Sequence, residues 1–371
     1  MVVLDIAFYI FAAVVIIQGV FYISVFGNLA FHRSKPLNKR HQLPVSVLIC
    51  AKNEAKNLKE FLPFILNQNY PTFEIVLIND ASNDDTLEVM EAYSKKYNNI
   101  KIVNVAPVEV FWGNKKYPLT LGIKASKHNI LLFTDADCKP VSTYWIAEMM
   151  SNFNTETAIT LGYGAYTKVK KSFLNKLIRF ETIITAISYF SMAKVGIPYM
   201  GVGRNLAYTK KHFFKVRGFM DHMNIRSGDD DLFVNQAADR TNTAVCLSQN
   251  SFTTSIPKST FKDWFKQKRR HISTVSHYKS HHKIILASFY ITNFLFWILS
   301  IILLVLWHMP IYVLSLIVIR LGIQYYIYGL GAKKLNEKDL IAFIPFLEIF
   351  LILFQLAIFI TNKISKPKHW K

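Results

Sequence analysis

The sequence predicts an α/β domain with a mostly parallel sheet, joined to α-helical transmembrane segments. Strand and helix signals alternate from about Leu43 to Asp135, four long apolar blocks flank the polar centre, and basic runs stand where the two meet.

Hydrophobic residues make up 51% of the 371, and 44 Lys+Arg against 24 Asp+Glu leave a net charge of +20. That balance is too apolar and too basic for an ordinary soluble enzyme, and it calls for an anionic partner, either nucleic acid or a membrane surface. The apolar residues decide for the membrane. Ile6–Gly27 and Ile284–Trp307 carry no charge, and two further blocks run Ile311–Ala332 and Leu340–Thr361. Each can cross about 30 Å of hydrocarbon as a helix. Residues 1–30 thus read as an N-terminal transmembrane helix, 284–362 as about three more, and 363–371 as a basic tail. The first block is expected to stay as an anchor, since "MVVLD" brings no positive charge and no small-residue cleavage site follows.

Phe31–His41 and Phe265–Lys283 are Lys/Arg-rich flanks, which places the region between them in the cytoplasm of a multi-pass inner-membrane protein. Three spans after that region would put the Lys-rich tail outside, against the same rule, unless one segment is re-entrant. Cys50, Cys138 and Cys246 have no paired spacing, so neither a disulfide framework nor a zinc site is expected.

The region 43–283 is large enough for one domain. Strands are expected at 44–51, 73–80, the "IKIVNVA" stretch and 129–135, and helices at 54–68 and 83–97. The apolar spacing over Ser172–Ala193 suits an interfacial helix or, equally, a core helix. In a parallel sheet the ligand crevice lies beyond the carboxyl ends of the strands. Lys52, Asn53, Glu54, Asp80, Asp135 and Asp137 should therefore converge. Two carboxylates in Asp-x-Asp offer oxygen ligands to a hard divalent cation that keeps positions for phosphate oxygens.

Seven motifs follow one another in an order that resembles the membrane-integral branch of the inverting family-2 glycosyltransferases, the cellulose and hyaluronan synthase-like enzymes with a GT-A fold. They are "VSVLICAKNEAKNL", "VLINDASNDDT", "KKYPLTLGI", "FTDADC", "GVGRNLAY", "SGDDDLF" and "QKRRH". The resemblance implies that Glu54 and Asp80 hold the base and ribose of a nucleoside diphosphate sugar, UDP by family default, and that Lys115 touches the same nucleotide. It places Asp135 on the nucleotide side and gives Asp137 a Mn²⁺ or Mg²⁺ that bridges the diphosphate. Gln267 and Arg270 would bind that diphosphate from the far side, while Asn205 and His271 would face the acceptor. The general base falls on Asp229 or Asp230, depending on whether the final Asp-Leu or the Gly is aligned.

The sequence departs from the pattern at Pro118, Thr120 and His271, the last standing where the family has Trp. The loss of that Trp favours one or a few additions to a lipid-linked or glycan acceptor over a processive polysaccharide synthase. A polyprenyl-phosphate sugar synthase is the further alternative, for which Gln267 and Arg270 would be superfluous. A non-catalytic membrane scaffold would not need the whole carboxylate set. Nucleic-acid binding is excluded by the place of the basic residues, which flank spans and include no base-reading motif. Lys115 and Lys116 as a pair would ordinarily be a solvated face, and His271, His277, His281 and His282 would meet lipid headgroups. Arg320 and Glu348, near the middles of the last two blocks, are expected to pair, or Arg320 to meet a lipid phosphate.

Overall fold

A computed structural model describes residues 1–32, 42–106 and 115–365. Most of the basic stretch after the first apolar block and the tail beyond Ser365 lie outside the described residues. Helix α1 (Val2–Val20) continues through a π-helical turn, Phe21–Phe26, into α2 (Gly27–Ala30). The domain begins with β1 (Val45–Ala51), α3 (Ala55–Leu66), β2 (Phe73–Asp80), α4 (Thr86–Lys96), β3 (Ile100–Val105), α5 (Lys116–Ala125) and β4 (Ile130–Asp135). It continues with β5 (Cys138–Pro140), α6 (Trp145–Met150), β6 (Ile159–Leu161), β7 (Gly164–Tyr166), α7 (Phe173–Lys194) and β8 (Leu206–Thr209). After α8 (Lys210–Lys215), α9 (Asp231–Ala237), β9 (Thr243–Val245), β10 (Thr253–Ser255) and α10 (Phe261–Thr274) come three long helices, α11 (Ser280–Val305), α12 (Pro310–Lys334) and α13 (Ile344–Ile364).

The main sheet has the order β3-β2-β1-β4-β8-β6-β9, and β5-β10-β7 form a small second sheet. β1 to β4 are mutually parallel, as the alternation of strand and helix requires, while β8 enters antiparallel between β4 and β6. β1 shows why it lies at the centre: Val45, Val47 and Ile49 bury on the α3/α4/α6 side, and Leu48 on the other. α4 begins three residues later than its acidic signal suggests, because the Asp84 carboxylate accepts from the Thr86 amide (3.1 Å) and holds Asn83–Asp85 in the loop.

The core on the α5 side runs without a break into the apolar helices, taking in Leu119, Ile187, Tyr22, Tyr328 and Leu347. α7 sits at that joint. Ser172 caps it by accepting from the Asn175 amide (3.1 Å), and Leu177, Phe180, Ile187 and Phe190 are buried. It is packed as a core helix between the sheet and the long helices, which is the second of the two readings its spacing allowed.

Four segments, Val2–Ala30, Ser280–Val305, Pro310–Lys334 and Lys338–Ile364, are long and apolar enough to cross a membrane. They suit the chain to membrane integration. Arg320 and Glu348 do pair, bidentately at 3.0 Å, and Gln18, Tyr22, Asn293 and Gln324 take the remaining guanidinium and carboxylate positions. Every strongly polar group at that depth thus has a partner from the chain itself. His282 does not face headgroups: it is buried, with Nδ1 2.9 Å from the Asn235 side chain.

Candidate active site

The strand ends are strained and laced together. Asn53 and Ala81, just past β1 and β2, have φ of 56° and 46°, the left-handed region that non-glycine residues rarely hold. The Asn53 amide donates to Ser82 Oγ (3.0 Å), and the Asn83 amide donates to Asn53 Oδ1 (2.8 Å). Glu54 is fixed as the residue before α3 by its amide, which donates to Thr86 Oγ1 (2.8 Å), and its Oε2 accepts from Asn57. Its carboxylate and that of Asp80 both open into a cleft of about 990 Å³ at the carboxyl ends of the strands.

Lys115, Asp135, Asp137, Gln267 and Arg270 line the same cleft. Residues spread over more than 200 positions of sequence are thereby brought to one surface. α10 supplies the far wall with Lys266, Gln267, Arg269 and Arg270, and the loop before it adds Lys258. A cleft that joins the strand-end carboxylates to a largely cationic α10 side suits a nucleoside diphosphate accompanied by a divalent cation.

Lys115 Nζ lies 2.6 Å from Asp135 Oδ1 and 3.3 Å from Asp229 Oδ2. Burial pushes the Asp135 carboxyl up, but Lys115 outweighs it and holds the group below the usual carboxylate range. Asp137 goes the other way, raised by burial and then by the charge of Asp135. Ligand atoms of Asp135, Asp137 and Cys138 lie within 4.8 Å of one another, a concentration of negative charge that a divalent cation would relieve. The two carboxylates suit Mn²⁺ or Mg²⁺. Burial pushes the Cys138 thiol up, and a soft sulfur ligand suits such hard cations less well than the carboxylates do.

The three carboxylates of the Gly-Asp-Asp-Asp run point three ways. Gly228 makes the turn at φ +91°, where a Cβ would meet Leu232 at 2.4 Å. Asp229 faces Lys115. Asp230 caps α9, accepting from the Asp231 amide (2.8 Å) and the Gly203 amide (2.7 Å). Asp231 turns away and accepts from Thr274 Oγ1 (2.5 Å) and the Tyr278 hydroxyl (2.8 Å), tying α9 to the end of α10. Burial and then the charges of Asp229 and Asp231 push Asp230 up to about 7. Asp229 and Asp230 line a narrow recess that shares Cys50 and Lys115 with the cleft.

Of the two expected acceptor residues, one is engaged elsewhere. Asn205 is fully buried, its Nδ2 donating to the carbonyls of Tyr163 (3.0 Å) and Ser251 (2.7 Å) while Oδ1 accepts from Trp145 Nε1 (3.0 Å). Every polar atom of that side chain is engaged inside the domain, so it faces no acceptor. His271 is exposed beside Arg270, outside the cleft lining. The residue before Asn205 is the one at the site: the Arg204 guanidinium stacks on Tyr166 (4.2 Å), donates to Ala165 O and Ser255 Oγ, and its charge acts on both Asp135 and Asp137.

Lys116 is no solvated face. It is 1% exposed, and Nζ donates to the carbonyls of His222 (2.7 Å), Ile225 (2.8 Å) and Ser227 (2.7 Å). One ammonium therefore gathers the loop that leads into Gly228. Nothing in the sequence marked Lys116 apart from its neighbour, and only the course of the loop reveals it. Thr120, a departure from the motif, bonds back to the Lys116 carbonyl (2.7 Å).

Residues 46–217 match the family model "Glycosyl transferase family 2". The chain is 31% identical over 162 residues to a probable glycosyltransferase, YdaM, of Bacillus subtilis, covering 42% of this chain and 38% of the relative. It is 32% identical over 130 residues to the poly-beta-1,6-N-acetyl-D-glucosamine synthase of Staphylococcus epidermidis, covering 34% of this chain and 30% of the relative. The matched part thus spans about a third of these relatives' length. A mannosyltransferase from Pyrobaculum calidifontis, solved with GDP-Man and Mn²⁺, shares the fold with a TM-score of 0.59 at 14% identity, over 95% of this chain and 99% of that one. Over residues 46–217, a little under half of the chain, the sequence thus matches a glycosyl transferase family 2 domain, on a mostly parallel GT-A fold.

Proposed function

We propose that the protein transfers a sugar, with inversion, from a nucleoside diphosphate sugar to a membrane-associated acceptor, lipid-linked or glycan, at the membrane face where the domain lies. The supporting observation is the convergence of Glu54, Asp80, Lys115, Asp135, Asp137, Gln267 and Arg270 on one cleft. Its place in a domain continuous with apolar helices fits an acceptor drawn from the membrane, and the basic run over α10 supports the reading that this face is on the cytoplasmic side of the inner membrane.

In this reading Glu54 and Asp80 receive the nucleoside, and Arg270 with Gln267 donates to the diphosphate from the α10 side. Asp137, assisted by Asp135, would hold Mn²⁺ or Mg²⁺, which neutralises charge on the diphosphate. Asp229 takes the proton from the acceptor hydroxyl as that oxygen attacks the anomeric carbon. The carbon–oxygen bond to the diphosphate breaks in the same step, and the nucleoside diphosphate leaves with the electron pair. Asp229 suits the base because its partner is a lysine side chain shared with Asp135, whereas both oxygens of Asp230 serve as backbone acceptors.

Addition of one or a few sugars fits better than polymer extrusion. The polar residues inside the apolar helices bond to one another around Arg320, as in a packed joint rather than a lined conduit. Binding of UDP, GDP and their sugars to the purified protein, with and without Mn²⁺, tests the donor reading. Metal-dependent binding of one nucleotide class, lost in Arg270→Ala, is expected; equal binding without metal would contradict it.

A further inference from the structure

Helix α13 differs from the other long helices in where its ends lie. Before it, Glu337 and Asp339 pair with Arg179 of α7 and with Lys168 (2.9 Å to Asp339). In its last turn, Asn362 and Arg269 of α10 form a reciprocal pair: Arg269 Nε donates to Asn362 Oδ1 (2.9 Å), and Asn362 Nδ2 donates to the Arg269 carbonyl (2.9 Å). Arg269 also donates to Ser365 Oγ (3.0 Å). A helix of this length is about 30 Å long and, if it crossed, would carry one end a full hydrocarbon thickness from the domain. Both ends are instead bonded to the domain. By contrast, the turn joining α11 to α12 meets the start of α1, through His308 and Asp5 (3.1 Å), far from any strand.

Between its ends α13 has two faces. Phe354 stacks on Trp264 (4.1 Å) and Phe350 packs near Phe261 (6.3 Å), so one face carries α10. Phe346, Ile349, Leu353, Ile360 and Ile364 form an exposed stripe at helical spacing, Phe346 being 76% and Leu353 57% exposed. The neighbouring long helices also expose large apolar side chains, and α10 lines the cleft with Gln267, Arg269 and Arg270.

We propose that α13 dips into the bilayer without crossing it, reaching the depth of Arg320 through Glu348 near its start and returning to the domain side at Asn362, and that Asn362 is a positioning residue through which this helix holds Arg269 and the α10 wall of the cleft. The bilayer then sets the position of the residues that meet the diphosphate. Three crossings remain, and the Lys-rich tail returns to the domain side, which removes the topological conflict in the sequence. The second half of the proposal rests on the donor reading of the cleft; the first does not.

The test uses the full chain in sealed vesicles. A protease-cleavable tag after Lys371 and one inserted at Arg240 should be cleaved from the same face; cleavage from opposite faces would overturn the non-crossing placement. A photo-crosslinking residue at Leu353 should give lipid adducts, whereas adducts of twice the chain mass would assign the stripe to a second copy. Asn362→Ala should raise the donor KM about tenfold with little change in kcat, and Asn362→Asp, which still accepts from Arg269, should recover most of it. An unchanged KM, or a loss confined to kcat, would overturn the positioning role. Wild-type protein that binds no nucleotide would refute the donor reading and, with it, the positioning role, while the tag and crosslinking results would still decide the placement.

Discussion

Lys115 Nζ stands 2.6 Å from Asp135 Oδ1, with Asp229 Oδ2 at 3.3 Å on its other side. One buried ammonium therefore joins the metal-proposed Asp-x-Asp to the proposed base. Removing it takes away the ammonium between the two carboxylates and leaves them only the charges of Arg204 and Arg270, and Lys115→Met should cost about 10²-fold in kcat/KM. Steady-state transfer kinetics measure this, and loss of less than about threefold would remove Lys115 from the machinery.

Asp230 gives the site a pH signature. Its value near 7, raised by burial and then by Asp229 and Asp231, means that the folded chain binds more protons than the unfolded one between about 4 and 7. The stability from this group is thus fully present at the acid end and is lost as pH rises toward 7. Thermal unfolding in detergent should show wild type losing ground to Asp230→Asn across that interval. Ionised Asp230 accepts from both the Gly203 and Asp231 amides, so transfer should rise with pH through about 7, and Asp230→Asn should flatten that limb.

Lys116 predicts a stability effect where the sequence offered none. Lys116→Met would strip three buried carbonyls of their donor, at about 3 kcal/mol or more in total. A lowered Tm together with weakened transfer is expected, because the loop so released leads directly to Gly228 and Asp229. An unchanged Tm would show that the loop holds itself.

The Arg320–Glu348 pair should behave as a buried ion pair does. Arg320→Leu alone leaves Glu348 uncompensated and should cost about 3–5 kcal/mol, while the double change to Leu at both positions should be tolerated better. Folded yield and Tm of the two singles and the double compare them. A double variant no better than either single would mean that Gln18, Asn293 and Gln324, not the pair, hold the joint.

Much of this was legible in the chain because strand ends announce themselves. "FEIVLIND" and "NILLFTD" each end an apolar run on a carboxylate, so Asp80 and Asp135 could be placed by period and topology alone. Gln267 and Arg270 needed the ordered motifs, since nothing local says which face of α10 meets the cleft. Asn205 was misplaced for a physical reason: a polar residue in a glycine-rich loop suggests an exposed ligand, yet Gly162 is what lets its amide tuck inside, a Cβ there falling 2.5 Å from it. Arg204, Lys116 and His282 escaped because their partners are distant in sequence and, in two of the three, include backbone carbonyls, which carry no side-chain signature.

The central claim is that this cleft transfers a sugar through a carboxylate-held metal and a carboxylate base. It is tested most directly by following label from a nucleotide sugar into membrane-extractable product, with Mn²⁺ present, in wild type, Asp137→Ala and Asp229→Ala. Metal-dependent transfer by wild type, with each variant reduced about 10²-fold or more while still inserted in the membrane, is the predicted result. Undiminished transfer by Asp137→Ala, or by Asp229→Ala with loss only in Asp230→Ala, would contradict the metal or the base assignment respectively.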